Sequence, residues 1–226
     1  MRDKIIVCDD PRKEKVFICD LDGVLLNVAS VFADLWADML CVKIEEDDFI
    51  YWKHDLALGV SPKLLEIFWD RVWEHKVALP YHGAGVFIDR VKYLGYKFVV
   101  LTSRGTTKAL KALQRDIPEL VAKGIDDILT CDQAAGDRKS DFINKYYPEA
   151  AFFLDDHTKN VVDVKIRCPE ITEVMLLDRP WNKSKDITPY RRVQSYGDVL
   201  SILSKELTDL ELAEAAARVL VQPTRK

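Results

Sequence analysis

The chain predicts an α/β fold, a doubly wound, Rossmann-like and mostly parallel sheet with a helical insertion after its first core strand. Three observations carry this expectation. The apolar run Val16-Phe17-Ile18-Cys19 ends in Asp20-Leu21-Asp22-Gly23, a helical and aromatic-rich block follows from about Asn27 to Lys76, and from Val86 onward helices and apolar strands alternate.

Each element follows from its own pattern. A short apolar run bounded by charge and glycine reads as a buried strand, and 16–19 is the first of these. Within the insertion, Ser61-Pro62 starts a helix with serine as the cap and proline in the first turn. Leu64, Leu65, Phe68, Trp69, Val72 and Trp73 then recur at helical spacing and form a wide apolar face, which Leu79-Pro80-Tyr81-His82-Gly83 interrupts. Beyond it we expect a helix over 86–94, a strand over 98–101, a helix over 107–115 and a strand over 127–130. A helix over 140–146, a strand over 151–154, a helix over 160–167 and a strand over 173–177 complete the series. Such alternation implies right-handed crossovers with helices on both faces of the sheet. The tail from Asp198 reads as two helices, the second with Leu207, Leu210, Ala217 and Val221 on one side. Packing on the core is its expected role, with a homodimer contact as the alternative. The resulting division is a core from 1–26 and 80–226 and a helical subdomain from 27–79.

With 226 residues and 48% hydrophobic content the chain can bury a sizeable core. A net charge of −4 and a pI near 5.7 supply no basic field for the phosphates of a nucleic-acid duplex. A small anionic ligand stays open, because local charge decides that. No apolar run approaches the ~20 residues of a membrane span, and the three apolar residues before Cys8 are too few for a signal-peptide core. Cys8, Cys19, Cys41, Cys131 and Cys168 form no C-x-x-C pair, so reduced thiols in a cytoplasmic protein are expected.

Four strand or helix ends carry polar groups. Asp20 and Asp22 lie two apart on an extended chain, so both can lean toward one pocket while Leu21 turns inward. Gly23 then permits a sharp turn and close approach to a ligand. An acidic turn explains the same residues equally well. Thr102 and Ser103, after the second core strand, either cap the next helix or hold phosphate oxygens through hydroxyl and backbone N–H groups. Lys139, just before a helix, is a solvated lysine by itself, or a point charge for a phosphoryl group. Asp155-Asp156, after another apolar strand, is a pair of like charges that repel unless a cation or proton intervenes. Taken jointly, these clusters converge on one sheet edge, which favours a functional site over coincidence.

The ordered set Asp20-x-Asp22, Thr102, Lys139, Asp155-Asp156 resembles the four motifs of the haloacid dehalogenase (HAD) superfamily of phosphohydrolases. Within it, Phe32, Trp36, Trp69, Leu79-Pro80 with Gly83-Ala84, and Asp178-Arg179-Pro180-Trp181-Asn182 are similar to the 5′(3′)-deoxyribonucleotidase group, with far less specificity. The resemblance implies that the helical insertion is a cap and that Mg²⁺ is the cofactor. It implies that Asp20 attacks phosphorus and that Asp22 gives and takes the proton. Thr102, Ser103 and Lys139 would neutralise phosphoryl oxygens. The metal would lie against Asp20, the Asp22 carbonyl and Asp155, with Asp156 orienting a water on it. Arg104 is a weaker candidate for meeting the phosphoryl oxygens, since an arginine after a strand-end turn is expected to be exposed.

The implied substrate is a small phosphate ester, with a (deoxy)nucleoside monophosphate preferred and another small ester or a nucleic-acid end as the alternative. Phe32, Trp36, Trp69 and Trp73 either stack on a nucleobase or form the core of the helical subdomain. A non-catalytic phosphate-binding module is disfavoured because every expected catalytic group is present. A signalling receiver domain also joins acids, a hydroxyl and a lysine, but it places its lysine last and has no long insertion. The run Ile5-Ile6-Val7-Cys8-Asp9-Asp10 also ends in two acids, yet Pro11 follows instead of glycine, so an edge strand with a polar turn is expected there.

Overall fold

A computed structural model describes residues 15–49, 59–75, 77–183 and 190–206. Cys8, the Ile5 to Asp10 run and the second tail helix lie outside the described residues. Among the described residues six strands form one sheet in the order β3-β2-β1-β4-β5-β6, with β1 Val16–Cys19, β2 Lys97–Thr102, β3 Asp127–Thr130, β4 Phe152–Asp155, β5 Glu173–Leu177 and β6 Arg191–Val193. Every neighbouring pair is parallel. The expected doubly wound α/β architecture is therefore the observed one.

Side-chain alternation along the strands sorts the core into two layers. Phe17, Cys19, Phe98, Val100, Phe152, Leu154, Met175 and Leu177 face one side. There they meet Phe87, Ile88 and Val91 of α3 (Ala84–Tyr93) and Val199, Ile202 and Leu203 of α8 (Tyr196–Lys205). Ile18, Val99, Leu101, Phe153, Val174 and Leu176 face the other, against Ile143 of α6 (Lys139–Tyr146) and Val161 and Val164 of α7 (Thr158–Arg167). Each such fully buried side chain contributes roughly 1.5–3 kcal/mol, and the double cover explains why the central strands are apolar on both faces.

Strands 16–19, 127–130 and 173–177 coincide with expectation, and the other expected helices and strands within the described residues shift by one or two residues. A short helix α5 (Pro118–Val121) and the edge strand β6 had no counterpart. β6 is three residues long with two arginines. It is held by side-chain pairing, Arg191 to Glu173 at 3.1 Å and Arg192 to Asp178 at 2.5 Å, and such charge suits an edge.

After β1 the chain enters α1 (Val28–Leu40), capped by Asn27, whose side chain accepts from the Ser30 amide. The second helix of this region, α2 (Pro62–His75), begins where the Ser61 hydroxyl accepts from the Leu64 amide at 3.3 Å. Entry and return are joined: the Asn27 amide donates to Leu79 O and the Tyr81 amide to Leu25 O, both at 2.9 Å, around a Leu26–Pro80 bridge. α2 packs on α4 (Thr107–Asp116) of the sheet layer, where Lys108 pairs with Asp70 at 2.7 Å and with Glu74 at 3.2 Å. Among the described residues no helix is long and apolar enough to cross a membrane.

Candidate active site

Strand order reverses around β1, whose neighbours are β2 on one side and β4 on the other. In open parallel sheets the carboxyl edge at such a switch point is where ligands bind. β1 and β4 run in register, Cys19 beside Leu154, and the Asp20 amide donates to Leu154 O at 2.9 Å. That pairing sets Asp20 beside Asp155 and Asp156. Their carboxylates, all buried, each offer an oxygen within 4.8 Å of the others.

Lys139, the first residue of α6 rather than a residue before it, reaches into this cluster. Its Nζ lies 2.6 Å from Asp20 Oδ1 and 2.8 Å from Asp155 Oδ2, with the whole side chain buried. Burial alone would push the ammonium pKa down, but Asp155 and Asp20 outweigh it and the net shift is upward. The lysine is therefore a fixed positive charge between two acids. Burial pushes the Asp20 carboxyl up to about 7, against the opposing charge of Lys139 and with the help of Asp155. Asp156 is pushed up as well, by burial first and then by Asp155 and Asp20.

The second acid of the first motif faces elsewhere. Both oxygens of Asp22 are held by Arg104, through Nε at 2.9 Å and Nη2 at 2.6 Å. The remaining nitrogen, Nη1, donates to Asp116 Oδ2 at 2.8 Å, and the guanidinium sits 4.8 Å from the ring centroid of Trp73. Arg104 is only 2% exposed, which corrects the expectation of an exposed arginine. Two acids and an aromatic face supply what its desolvated charge requires.

Thr102 is fully buried and its Oγ1 accepts from the Arg104 amide at 3.4 Å, whereas Ser103 lies on the surface of the cavity above. That cavity, about 650 Å³, has Asp20, Asp22 and Asp156 on its lining. Of the four aromatics singled out, Trp69 and Trp73 line it, with their rings stacked 5.3 Å apart at 22°. Phe32 and Trp36 do not: they are buried against Phe68, at 5.6 and 4.7 Å between ring centroids.

Further residues hold the cluster, and of these Trp181 belongs to a run, Asp178 to Asn182, already marked in the sequence. Asn160 Nδ2 donates to Asp155 Oδ2 at 3.1 Å and the His157 amide to Oδ1 at 2.7 Å. Trp181 Nε1 donates to Asp156 Oδ2 at 2.7 Å, and Asp116 anchors Arg104. Asp116 and Asn160 sit on helices like any polar residue, so no local signal marks them. Gly23 has φ +77°, and a Cβ there would fall 2.3 Å from Asp156 Oδ2; its backbone freedom and the absence of a side chain are both required.

A divalent cation fits this donor set. Hard cations take carboxylate and carbonyl oxygens, three carboxylates converge with their charge only partly met by Lys139, and Asp156 Oδ1 is buried with no hydrogen-bond partner.

No family model and no curated protein sequence matches the chain. Solved structures do. An HAD family hydrolase from Deinococcus radiodurans R1, with bound phosphate and sodium, aligns at 15% identity and a TM-score of 0.57, covering 85% of this chain and 96% of that one. A haloacid dehalogenase-like hydrolase from Streptococcus pneumoniae aligns at 13% identity and 0.54, covering 84% and 98%. A Bacillus subtilis protein bound to magnesium aligns at 15% identity and 0.53, covering 85% and 100%. These are likenesses of fold, and the protein has the α/β fold of the haloacid dehalogenase-like hydrolases.

Proposed function

We propose that the protein is a Mg²⁺-dependent phosphomonoester hydrolase acting through an aspartyl-phosphate on Asp20. The observation that carries this is the convergence of Asp20, Asp155 and Asp156 with Lys139 at the switch point, below a cavity large enough for a small ester.

Asp20 attacks phosphorus in line, and the bond to the leaving oxygen breaks as Asp22 delivers a proton to it. Water then attacks the aspartyl-phosphate, Asp22 takes its proton, and the bond between phosphorus and the Asp20 oxygen breaks to release phosphate. Lys139, Thr102 and Ser103 meet the phosphoryl oxygens as charge redistributes. Lys139 also holds Asp20 Oδ1 in place before reaction. Mg²⁺ would be held by the carboxylates of Asp20 and Asp155 and the Asp22 carbonyl, with Asp156 beside them. When bound it supplies the positive charge that lets an anionic nucleophile meet an anionic phosphate. Arg104 holds both oxygens of Asp22, so proton transfer at Asp22 requires that pair to loosen.

Residues 27–79 act as a cap that closes the leaving-group side. The stacked Trp69 and Trp73 favour a second, finer reading, a nucleoside monophosphate with its base against the indoles, a deoxynucleotide in particular; each stacking contact is worth about 1–3 kcal/mol. Free thiols at Cys19, Cys41, Cys131 and Cys168 accord with a cytoplasmic setting.

Purified protein with Mg²⁺ is expected to hydrolyse a generic aryl phosphate, and a chelator to stop it. Turnover that survives full metal removal would refute the metal-dependent scheme.

A further inference from the structure

The connection between β5 and β6 carries a side chain that the scheme above leaves without a role. Trp181, on the 3₁₀ turn Pro180–Asn182, is buried, yet its indole reaches the cavity and donates to Asp156 Oδ2 at 2.7 Å. The other oxygen of that carboxylate, Oδ1, is buried without a hydrogen-bond partner. A buried acceptor left unmet is destabilising, more so where it is charged.

Asp155 makes the contrast. Its Oδ1 accepts from the His157 amide, and its Oδ2 from both Lys139 and Asn160. A cation therefore competes with an ammonium for Asp155. Asp156 is oriented by a neutral indole, which fixes the group without cancelling its charge.

The turn that presents Trp181 is itself braced. Asn182 Nδ2 donates to the carbonyls of Asp156 and Leu177, both at 2.8 Å. Arg192 Nη2 donates to Asn182 O at 2.5 Å, and Arg179 Nε donates to Gly23 O at 2.5 Å. From the β1 side, the missing side chain of Gly23 leaves room for both partners: a Cβ would lie 2.3 Å from Asp156 Oδ2 and 3.1 Å from Trp181 Cζ2. Packing alone would be satisfied by any ring of this size; the N–H directed at one oxygen is a separate feature.

We infer that Trp181 is a positioning residue for the cation site: its N–H occupies Asp156 Oδ2 and so leaves Oδ1 turned to the metal site. The inference rests on the metal-dependent reading above and adds to it the residue that orients the least compensated of the three carboxylates.

The test is Trp181→Phe, which keeps an aromatic ring and removes the donor, with Mg²⁺ binding to the chelator-stripped protein read by calorimetry. Loss of an outer-shell partner weakens metal binding by about 10- to 100-fold, and that fall is expected here in a variant still folded by circular dichroism. The wild-type tryptophan fluorescence should also respond to Mg²⁺, and the variant should lose part of that response. Unchanged Mg²⁺ affinity in Trp181→Phe overturns this inference alone, whereas a wild-type protein that takes up no Mg²⁺ overturns the phosphohydrolase reading with it. Should the variant not fold, the Trp181 Nε1–H resonance of the wild-type protein decides. It is expected to shift with the same midpoint as the calorimetric titration, and a resonance indifferent to Mg²⁺ overturns the proposal.

Discussion

Arg104 holds both oxygens of Asp22 and one oxygen of Asp116, so one guanidinium ties the loop after β1 to the last turn of α4. Asp116 is 1% exposed at its side chain, and Arg115 Nε meets its other oxygen at 2.8 Å. Removing Arg104 strands a buried carboxylate with half its partners. Arg104→Ala is expected to lower stability by about 3 kcal/mol, the low end for a broken buried pair. Denaturant melts should show part of that loss regained in Arg104→Ala with Asp116→Asn. A double variant no more stable than the single one would mean that the Asp116 contact is not what the arginine secures.

Asp20→Asn keeps the shape of the side chain and its packing beside Leu154 but cannot form an aspartyl-phosphate. Turnover of an aryl phosphate is expected to drop by about 10⁴-fold or more, the scale seen when a nucleophile is removed, with the circular dichroism spectrum intact. Activity near wild type would move the nucleophile elsewhere.

Metal-free protein should carry the signature of Asp20 in its pH dependence. Burial pushes this carboxyl up to about 7 from an ordinary 3.8. Between those values the native state binds more protons at this site than the unfolded chain does, so the group makes the protein less stable as pH rises through the window. In chelator, Tm should therefore fall less between pH 5 and pH 7 for Asp20→Asn than for wild type. An equal or steeper fall in the variant contradicts the assignment.

Trp69 and Trp73 line the cavity, whereas Phe32 and Trp36 are buried away from it, so substitutions in the two groups should differ in effect. Trp69→Ala should raise KM for a nucleoside monophosphate by roughly 5- to 150-fold, the equivalent of one stacking contact, with a smaller change for an aryl phosphate. Trp36→Ala should instead cost about 3–5 kcal/mol of stability as a core truncation. A panel of phosphate esters in which nucleotides and sugar phosphates share one kcat/KM would argue against base stacking.

The strand ends were legible because each is a local pattern: an apolar run long enough to bury, stopped by polar residues. That is why Asp20, Asp155 and Asp156 could be assigned to one edge before any geometry was known. Arg104 was misjudged because its partners are distant: Asp22 precedes it by 82 residues and Asp116 lies on the following helix. Nothing near Arg104 in the chain says that two acids will enclose it. β6 escaped notice for a similar reason, since Arg191 and Arg192 look like a charged loop until Glu173 and Asp178 are set beside them. For the aromatics the helical period was correct, but period alone does not say which part of a wide apolar face meets the cavity.

The Leu26–Pro80 bridge has a consequence for how such a molecule can change. Because the chain departs and returns at one point, everything between Asn27 and Leu79 is topologically a single excursion, fastened by two backbone hydrogen bonds. Changes in that excursion away from Trp73, Asp70 and Glu74 leave untouched both the strand ends and the contacts it makes with Arg104 and Lys108.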